Sequence, residues 1–275
     1  MKKINLILPF LLPLLWLSAC DEKATEVDYN PNVLSSKDYI RAEDAVLEIV
    51  NAFFKGVHDT LVLNLSYGYI DNCDVIYYPA DNSMTFRYGE VNRFCQDNKF
   101  RRGLFQANFS GQVFEEGVNT NIKTDSLFVD DMLVEANLDI QNLGINDNNL
   151  PGYSLKVASC TIMLPDTSNN IVSISADFIM EWAEGSTTPE IHEDDIYVIT
   201  GTASGLSSDG FEFSIDIQDS LVDYLDCFWI SQGISQITVP AGEFQTGDID
   251  YISVDGCNNE IYFYFNNNLF YDFLK

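Results

Sequence analysis

From about residue 60 onward, apolar and polar side chains alternate in short runs. Val172-Ser173-Ile174-Ser175-Ala176-Asp177-Phe178 places an apolar residue at every second position, and the phase continues to Met180 and Trp182. Phe211, Phe213, Ile215 and Ile217 alternate in the same way with Glu212, Ser214 and Asp216. A period of two sends successive side chains to opposite faces, so these runs predict half-buried antiparallel strands. Turn-forming residues interrupt them at Glu116-Gly117, Pro151-Gly152, Ser208-Asp209-Gly210 and Asp255-Gly256. Roughly a dozen such runs at short spacing predict an all-β fold, mainly antiparallel sandwich-like sheets.

One segment follows a different period. Ala45, Val46, Ile49, Val50, Phe53, Phe54 and Val57 recur at helical spacing, which predicts an amphipathic helix over residues 41–59. Acid near its start, Asp38 or Glu43-Asp44, suits the helix dipole, and His58 at its end reads as a surface group.

Two stretches of the strand-rich region share an order of elements. Cys73 opens an apolar run to Pro79-Ala80, followed by Phe86-Arg87-Tyr88 and Cys95-Gln96-Asp97-Asn98. Cys227 opens another to Pro240-Ala241, followed by Ile249-Asp250-Tyr251 and Cys257-Asn258-Asn259. This weak repeat suggests two tandem β-units, residues 60–168 and 169–275, divided near Pro165-Asp166-Thr167-Ser168-Asn169-Asn170. It also suggests two disulfides, Cys73 with Cys95 and Cys227 with Cys257. Cys160 lies in phase with Ala158, Ile162 and Leu164, as a buried thiol would.

The first residues change the picture. Lys2 and Lys3 precede an apolar core, Leu6 to Leu17, too short for the roughly 20 residues of a membrane-spanning helix. It ends in Leu17-Ser18-Ala19-Cys20, the pattern of a lipoprotein signal, so residues 1–19 read as a cleaved signal peptide and Cys20 as the acylated residue. Two or three acyl chains make a stable anchor in the lipid bilayer. Residues 20–40 then read as the lipidated cysteine and a polar, flexible tether.

Charge narrows the partners. Without residues 1–19 the chain keeps 12 basic residues against 42 acidic ones, a net charge of −30. Nucleic acid, which demands a basic face, is excluded as a partner. Calcium is the cofactor reading that so many carboxylates leave open, but no EF-hand-like run occurs. Asn146-Asp147-Asn148-Asn149 and Glu193-Asp194-Asp195 are the densest oxygen clusters, and both read as solvated turns.

The chain carries no G-x-S-x-G elbow, no H-E-x-x-H helix, no Gly-rich phosphate loop and no C-x-x-C. Of its two histidines, His192 lies in an acidic loop. Acid pairs such as Glu181 and Glu184 are inevitable among 42 and identify no hydrolase centre. No catalytic residue and no metal ligand is therefore assigned. Aromatic residues are abundant, with 19 Phe, 14 Tyr and 3 Trp. Most suit cross-strand packing, while Trp182, Trp229, Tyr77 and Tyr78 are the rings a sugar-binding surface would use.

Several segments have a shared look: Asp97-Asn98-Lys99-Phe100-Arg101-Arg102-Gly103, Phe109-Ser110-Gly111, Trp182-Ala183-Glu184-Gly185, Tyr197-Val198-Ile199-Thr200-Gly201-Thr202-Ala203-Ser204-Gly205, and Asp250-Tyr251 ahead of Gly256-Cys257-Asn258-Asn259. Across residues 70–262 this pattern resembles a group of uncharacterised β-rich lipoproteins of Bacteroidota. Acidic Asp21 and Glu22 after Cys20 resemble the surface-export signals of such lipoproteins. The chain departs from the group with Tyr251-Ile252-Ser253-Val254, where the group places a glycine soon after the aromatic. The resemblance implies a Gram-negative outer-membrane lipoprotein with a binding or structural role and assigns no site residue. The expectation is a non-enzymatic envelope lipoprotein that binds an unknown protein or glycan, with a glycan-binding module and a carboxylate-based glycoside hydrolase as alternatives.

Overall fold

The structure is a computed structural model that describes residues 30–165, 170–251, 257 and 260–273. Cys20, the signal segment and residues 21–29 of the expected tether lie outside the described residues. Two helices come first, α1 (Pro31–His58) and α2 (Thr60–Leu65). Fourteen strands follow: β1 (Tyr67–Ile70), β2 (Cys73–Tyr78), β3 (Ser83–Phe94), β4 (Phe100–Phe109), β5 (Asn119–Val129), β6 (Met132–Ile145), β7 (Pro151–Met163), β8 (Ile171–Glu184), β9 (Ile196–Leu206), β10 (Glu212–Tyr224), β11 (Ile230–Thr238), β12 (Thr246–Asp250), β13 (Glu260–Phe265) and β14 (Asn268–Phe273).

The strands form one open antiparallel sheet in strict sequence order, each paired with the next. The all-β class with one long N-terminal helix is what the alternation predicts. A single continuous sheet supplies the layers, and α1 packs on it. The segment at 165–170 falls between β7 and β8, which pair along their length from Gly152↔Glu181 to Met163↔Ile171. Residues on both sides of it therefore share one sheet and one apolar core. Pro151-Gly152, read as a turn, begins β7 instead, and the reversal is made by Asn146–Asn149, where the Asn146 side chain accepts from the backbone N–H groups of Asn148 and Leu150.

Helix α1 is longer than the periodicity predicts and begins ten residues earlier, at Pro31. Asn30 caps it by accepting from the N–H groups of Asn32 and Val33, and Pro31 suits the first helical position. Residues 31–40 look like tether because they are polar, yet the side chains of Asn32, Ser35, Ser36 and Asp38 are buried. Asn32 bonds the backbone of Phe244 in both directions, and Asp38 accepts from the backbone and hydroxyl of Ser208 at 2.8 and 2.7 Å. These contacts tie the start of α1 to the β9–β10 and β11–β12 connections. At the far end Asp59 closes α1 and caps α2 in turn.

One face of α1 packs its apolar side chains on the sheet. Phe54 meets Tyr153 and Tyr197 at ring distances of 4.9 and 5.1 Å, Phe53 meets Phe109 at 6.1 Å, and Tyr39 meets Phe213 at 6.1 Å. The sheet bends through bulges where glycine is required. At Gly103 (φ +93°) the ladder shifts register on both sides, and a Cβ would lie 1.9 Å from the carbonyl oxygen of Ser126.

Candidate functional site

One turn after another, the middle of α1 presents Glu43, Asp44, Glu48 and Asn51 along one side, as helical spacing requires. Three other elements face them. The β3–β4 connection brings Asp97 and Lys99, with Arg101 just inside β4. The end of β10 brings Asp223, and the β10–β11 connection brings Phe228 and Trp229. The two connections meet above the helix, where the Lys99 ammonium lies 5.0 Å from the centre of the Trp229 ring. Beneath them is a cavity of about 90 Å³, and Gln96 and Phe228 at its rim are exposed.

Two cations stand among the acids. Lys99, 3% exposed, donates to Asp44 and to Glu48. Arg101 pairs with Glu48 at 2.5 Å and holds both oxygens of Asp97, one of them at 2.8 Å. Burial works to raise the Glu48 carboxyl, but Arg101 and Lys99 outweigh it and hold the group below its ordinary range. Asp97 is held low in the same way, by Arg101 against its burial. The two cations rise in return, against burial that disfavours their charge.

Among the described residues, Glu43 and Asp223 pair with no cation, and Asp44 shares Lys99 with Glu48. Glu43, 2% exposed, accepts from Tyr39 Oη at 2.5 Å and from Tyr251 Oη. Its pKa is pushed up to about 7, because burial outweighs the two tyrosine bonds. Asp223 is also 2% exposed and accepts from Asn51 Nδ2 at 3.0 Å. Burial lifts it to about 6, with Asn51 working the other way. Asp44 is raised as well, by burial against the pull of Lys99. The carbonyl oxygen of Asn51 is fully enclosed and accepts no hydrogen bond.

A second cluster forms near the end of α1. His58, read as a surface residue, is 6% exposed and stacks between Trp182 and Phe114 at 4.8 and 5.3 Å. Its Nδ1 has no partner. Burial, and then the nearby His192, lower its pKa to about 4. His192 stands 3.3 Å from Asp195, which accepts from Trp182 Nε1 at 2.9 Å. The chain's two histidines are thus brought to a ring distance of 6.5 Å. Among the described residues no three His, Cys, Asp or Glu side chains are grouped as a metal ion needs.

The aromatic candidates separate. Trp182 is 3% exposed, with its ring against His58 and Tyr197 and its N–H on Asp195, so no sugar face can reach it. Trp229 is half-buried and lines the cavity. The cysteines separate too. Cys227–Cys257 is a disulfide with a Cα separation of 5.5 Å, and it ties down the β10–β11 connection beside the cavity. Cys73 and Cys95 are thiols rather than the expected second bridge. Both lie on the same buried wall, but each thiol faces a backbone carbonyl instead of the other sulfur, Cys73 that of Asp74 and Cys95 that of Arg93. Cys160 is a fully buried thiol whose pKa burial pushes up to about 12.

Sequence reading missed the ionic cluster, because its members come from four separate segments. The signal that bears on it is local: Asp97, Lys99 and Arg101 stand at every second position as the chain enters β4. No family model, curated protein or solved structure matches this chain, so its site rests on its own geometry.

Proposed function

We propose that the chain is a lipoprotein of the bacterial outer membrane, held through acylated Cys20, whose folded body is a non-enzymatic binding module. The cavity between α1 and the two strand connections is its ligand site. The observation that carries the reading is the cavity's composition: buried carboxyls without cations of their own, an enclosed unpartnered acceptor, and Trp229 with Phe228 at the mouth. Perturbed titratable groups converging on a cavity are the signature of a functional site. Binding is favoured over hydrolysis because both oxygens of Glu43 are taken up by tyrosine hydroxyls, which hold the carboxyl in place rather than aim it at a scissile bond. A glycan remains the second reading, since Trp229 offers a half-buried ring beside the Asp97 carboxylate and the Gln96 amide.

The test uses the full chain, purified in detergent, against an array of glycans and envelope proteins, alongside growth with labelled palmitate. The expected result is palmitate incorporation that Cys20→Ala abolishes, and a saturable binder whose affinity Trp229→Ala lowers at least tenfold. Labelling that survives Cys20→Ala refutes the anchor. An array on which nothing binds refutes the module.

A further inference from the structure

The charges around the cavity can be paired off element by element. On α1, Glu48 belongs to Lys99 and Arg101, and Lys55 belongs to Asp71 of the β1–β2 turn at 2.8 Å. On the β3–β4 connection, Asp97 belongs to Arg101. Asp44 shares Lys99 with Glu48. Glu43 and Asp223 are left over: their hydrogen-bond partners are the neutral Tyr39, Tyr251 and Asn51, they repel one another, and Lys55, paired with Asp71, reaches Asp223 only through its field. The two thiols on the same wall, Cys73 and Cys95, carry no positive charge. Among the described residues, every cation facing the cavity is therefore already committed.

The vacant polar group points the same way. Asn51 gives its amide N–H to Asp223 and keeps an enclosed carbonyl oxygen with nothing to accept. That oxygen and the Asp223 carboxylate are acceptors, so a ligand that satisfies both must bring hydrogen-bond donors, and one that also balances the Asp223 charge must be a cation. The other walls are apolar, with Leu47, Ile70, Phe86 and Ile230 among them. A volume of about 90 Å³ holds several waters, or the head and first carbons of an alkylamine.

Resting on the binding reading above, we propose that the ligand is an organic cation, a primary ammonium on a short apolar body, whose N–H groups bond Asp223 and Asn51. Burial of charge in such a site is favourable only with a partner of opposite sign and satisfied hydrogen bonds. A bare hard metal ion lacks the apolar body that these walls would cover. Because burial lifts Asp223 to about 6 and Glu43 to about 7, the ammonium competes with protons there, and its affinity falls in acid.

Titration calorimetry of the full chain in detergent with n-butylammonium chloride tests this, with n-butanol and calcium chloride as contrasts. The expected result is saturable binding at pH 8 that weakens about tenfold at pH 5, as Asp223 takes its proton. Asp223→Asn, close in shape, should lose at least tenfold at pH 8 with the near-ultraviolet circular dichroism unchanged. n-Butanol binding as tightly as the ammonium, or calcium displacing it, overturns the proposal, and so does ammonium affinity independent of pH. Should an array binder exist while n-butylammonium does not bind, the cation class falls and the binding module stands. If neither binds, both fall.

Discussion

His58 is packed against two aromatic rings, with a nitrogen bonded to nothing. Its ordinary pKa of 6.5 is lowered to about 4 by burial and by His192. Between those values the unfolded chain takes up a proton on this residue that the folded chain does not, so stability is lost as pH falls from 6.5 to about 4. His58→Phe keeps the ring stack and removes both the titration and the unpartnered nitrogen. We expect the variant to be more stable than the wild type at pH 5 by about 1–2 kcal/mol, with a smaller gain at pH 8, by urea denaturation. Equal midpoints at pH 5 would mean that the imidazole is satisfied in solution. Nothing in the sequence reveals this burial, because a histidine after the last apolar turn of a helix ordinarily meets solvent. Trp182 and Phe114 reach it from β8 and the β4–β5 connection, through contacts that no local pattern encodes. Trp182 illustrates the converse. Its place in an alternating run gave the correct inward-facing phase, and that phase argued against the sugar-binding role also considered for it.

At the scale of elements, the strands were legible because half-burial imposes a period of two, and β8 shows that alternation along nearly its whole length. The first ten residues of α1 were not legible, because their polar groups bond the backbone of distant turns and mimic a solvated tether. Several reversals were missed for a different reason. Asp71-Asn72, Asp130-Asp131 and Asn266-Asn267 all have positive φ at both central positions, the hairpin turn conformation, without the glycine that usually advertises it. Where glycine does occur, its purpose depends on the pairing around it. Gly103 lies against the backbone of Ser126, whereas Gly210 (φ +82°) has nothing within 4 Å of an added Cβ. Gly103→Ala therefore has to displace a strand, at a cost of about 3 kcal/mol. Gly210→Ala meets only the left-handed backbone penalty, about 1 kcal/mol. Urea midpoints of the two variants compare these costs directly, and a Gly103→Ala loss no larger than that of Gly210→Ala would mean that the bulge does not constrain the sheet.

For the whole molecule, the acidic composition was plain from the start, but its distribution was not. The net charge of −28 describes a solvated surface, while a few carboxyls from distant segments are drawn inside around α1. Those buried groups set how stability responds to pH. Glu43 rises from 4.5 to about 7 and Asp223 from 3.8 to about 6, so the folded chain holds protons that the unfolded chain has released. Their contribution is complete below the unfolded values and is lost as pH climbs through 6 to 7. His58 opposes them only below 6.5, and Glu48 and Asp97, held low by their cations, withdraw support only in stronger acid. Surface repulsion also grows with pH, but salt screens it, with a Debye length near ~4 Å in about 0.5 M salt, whereas buried groups are screened much less. One pKa unit is worth about 1.4 kcal/mol, so even part of these shifts is measurable. The urea midpoint should therefore be higher at pH 5.5 than at pH 8, and the difference should persist in high salt. Glu43→Gln, which presents a neutral group to Tyr39 and Tyr251 at every pH, should reduce it to the part that Asp223 contributes. A midpoint in high salt that is equal at the two pH values, or higher at pH 8, would mean that Glu43 and Asp223 ionise as freely as exposed acids. The interior acids would then have to reach water or a cation in solution.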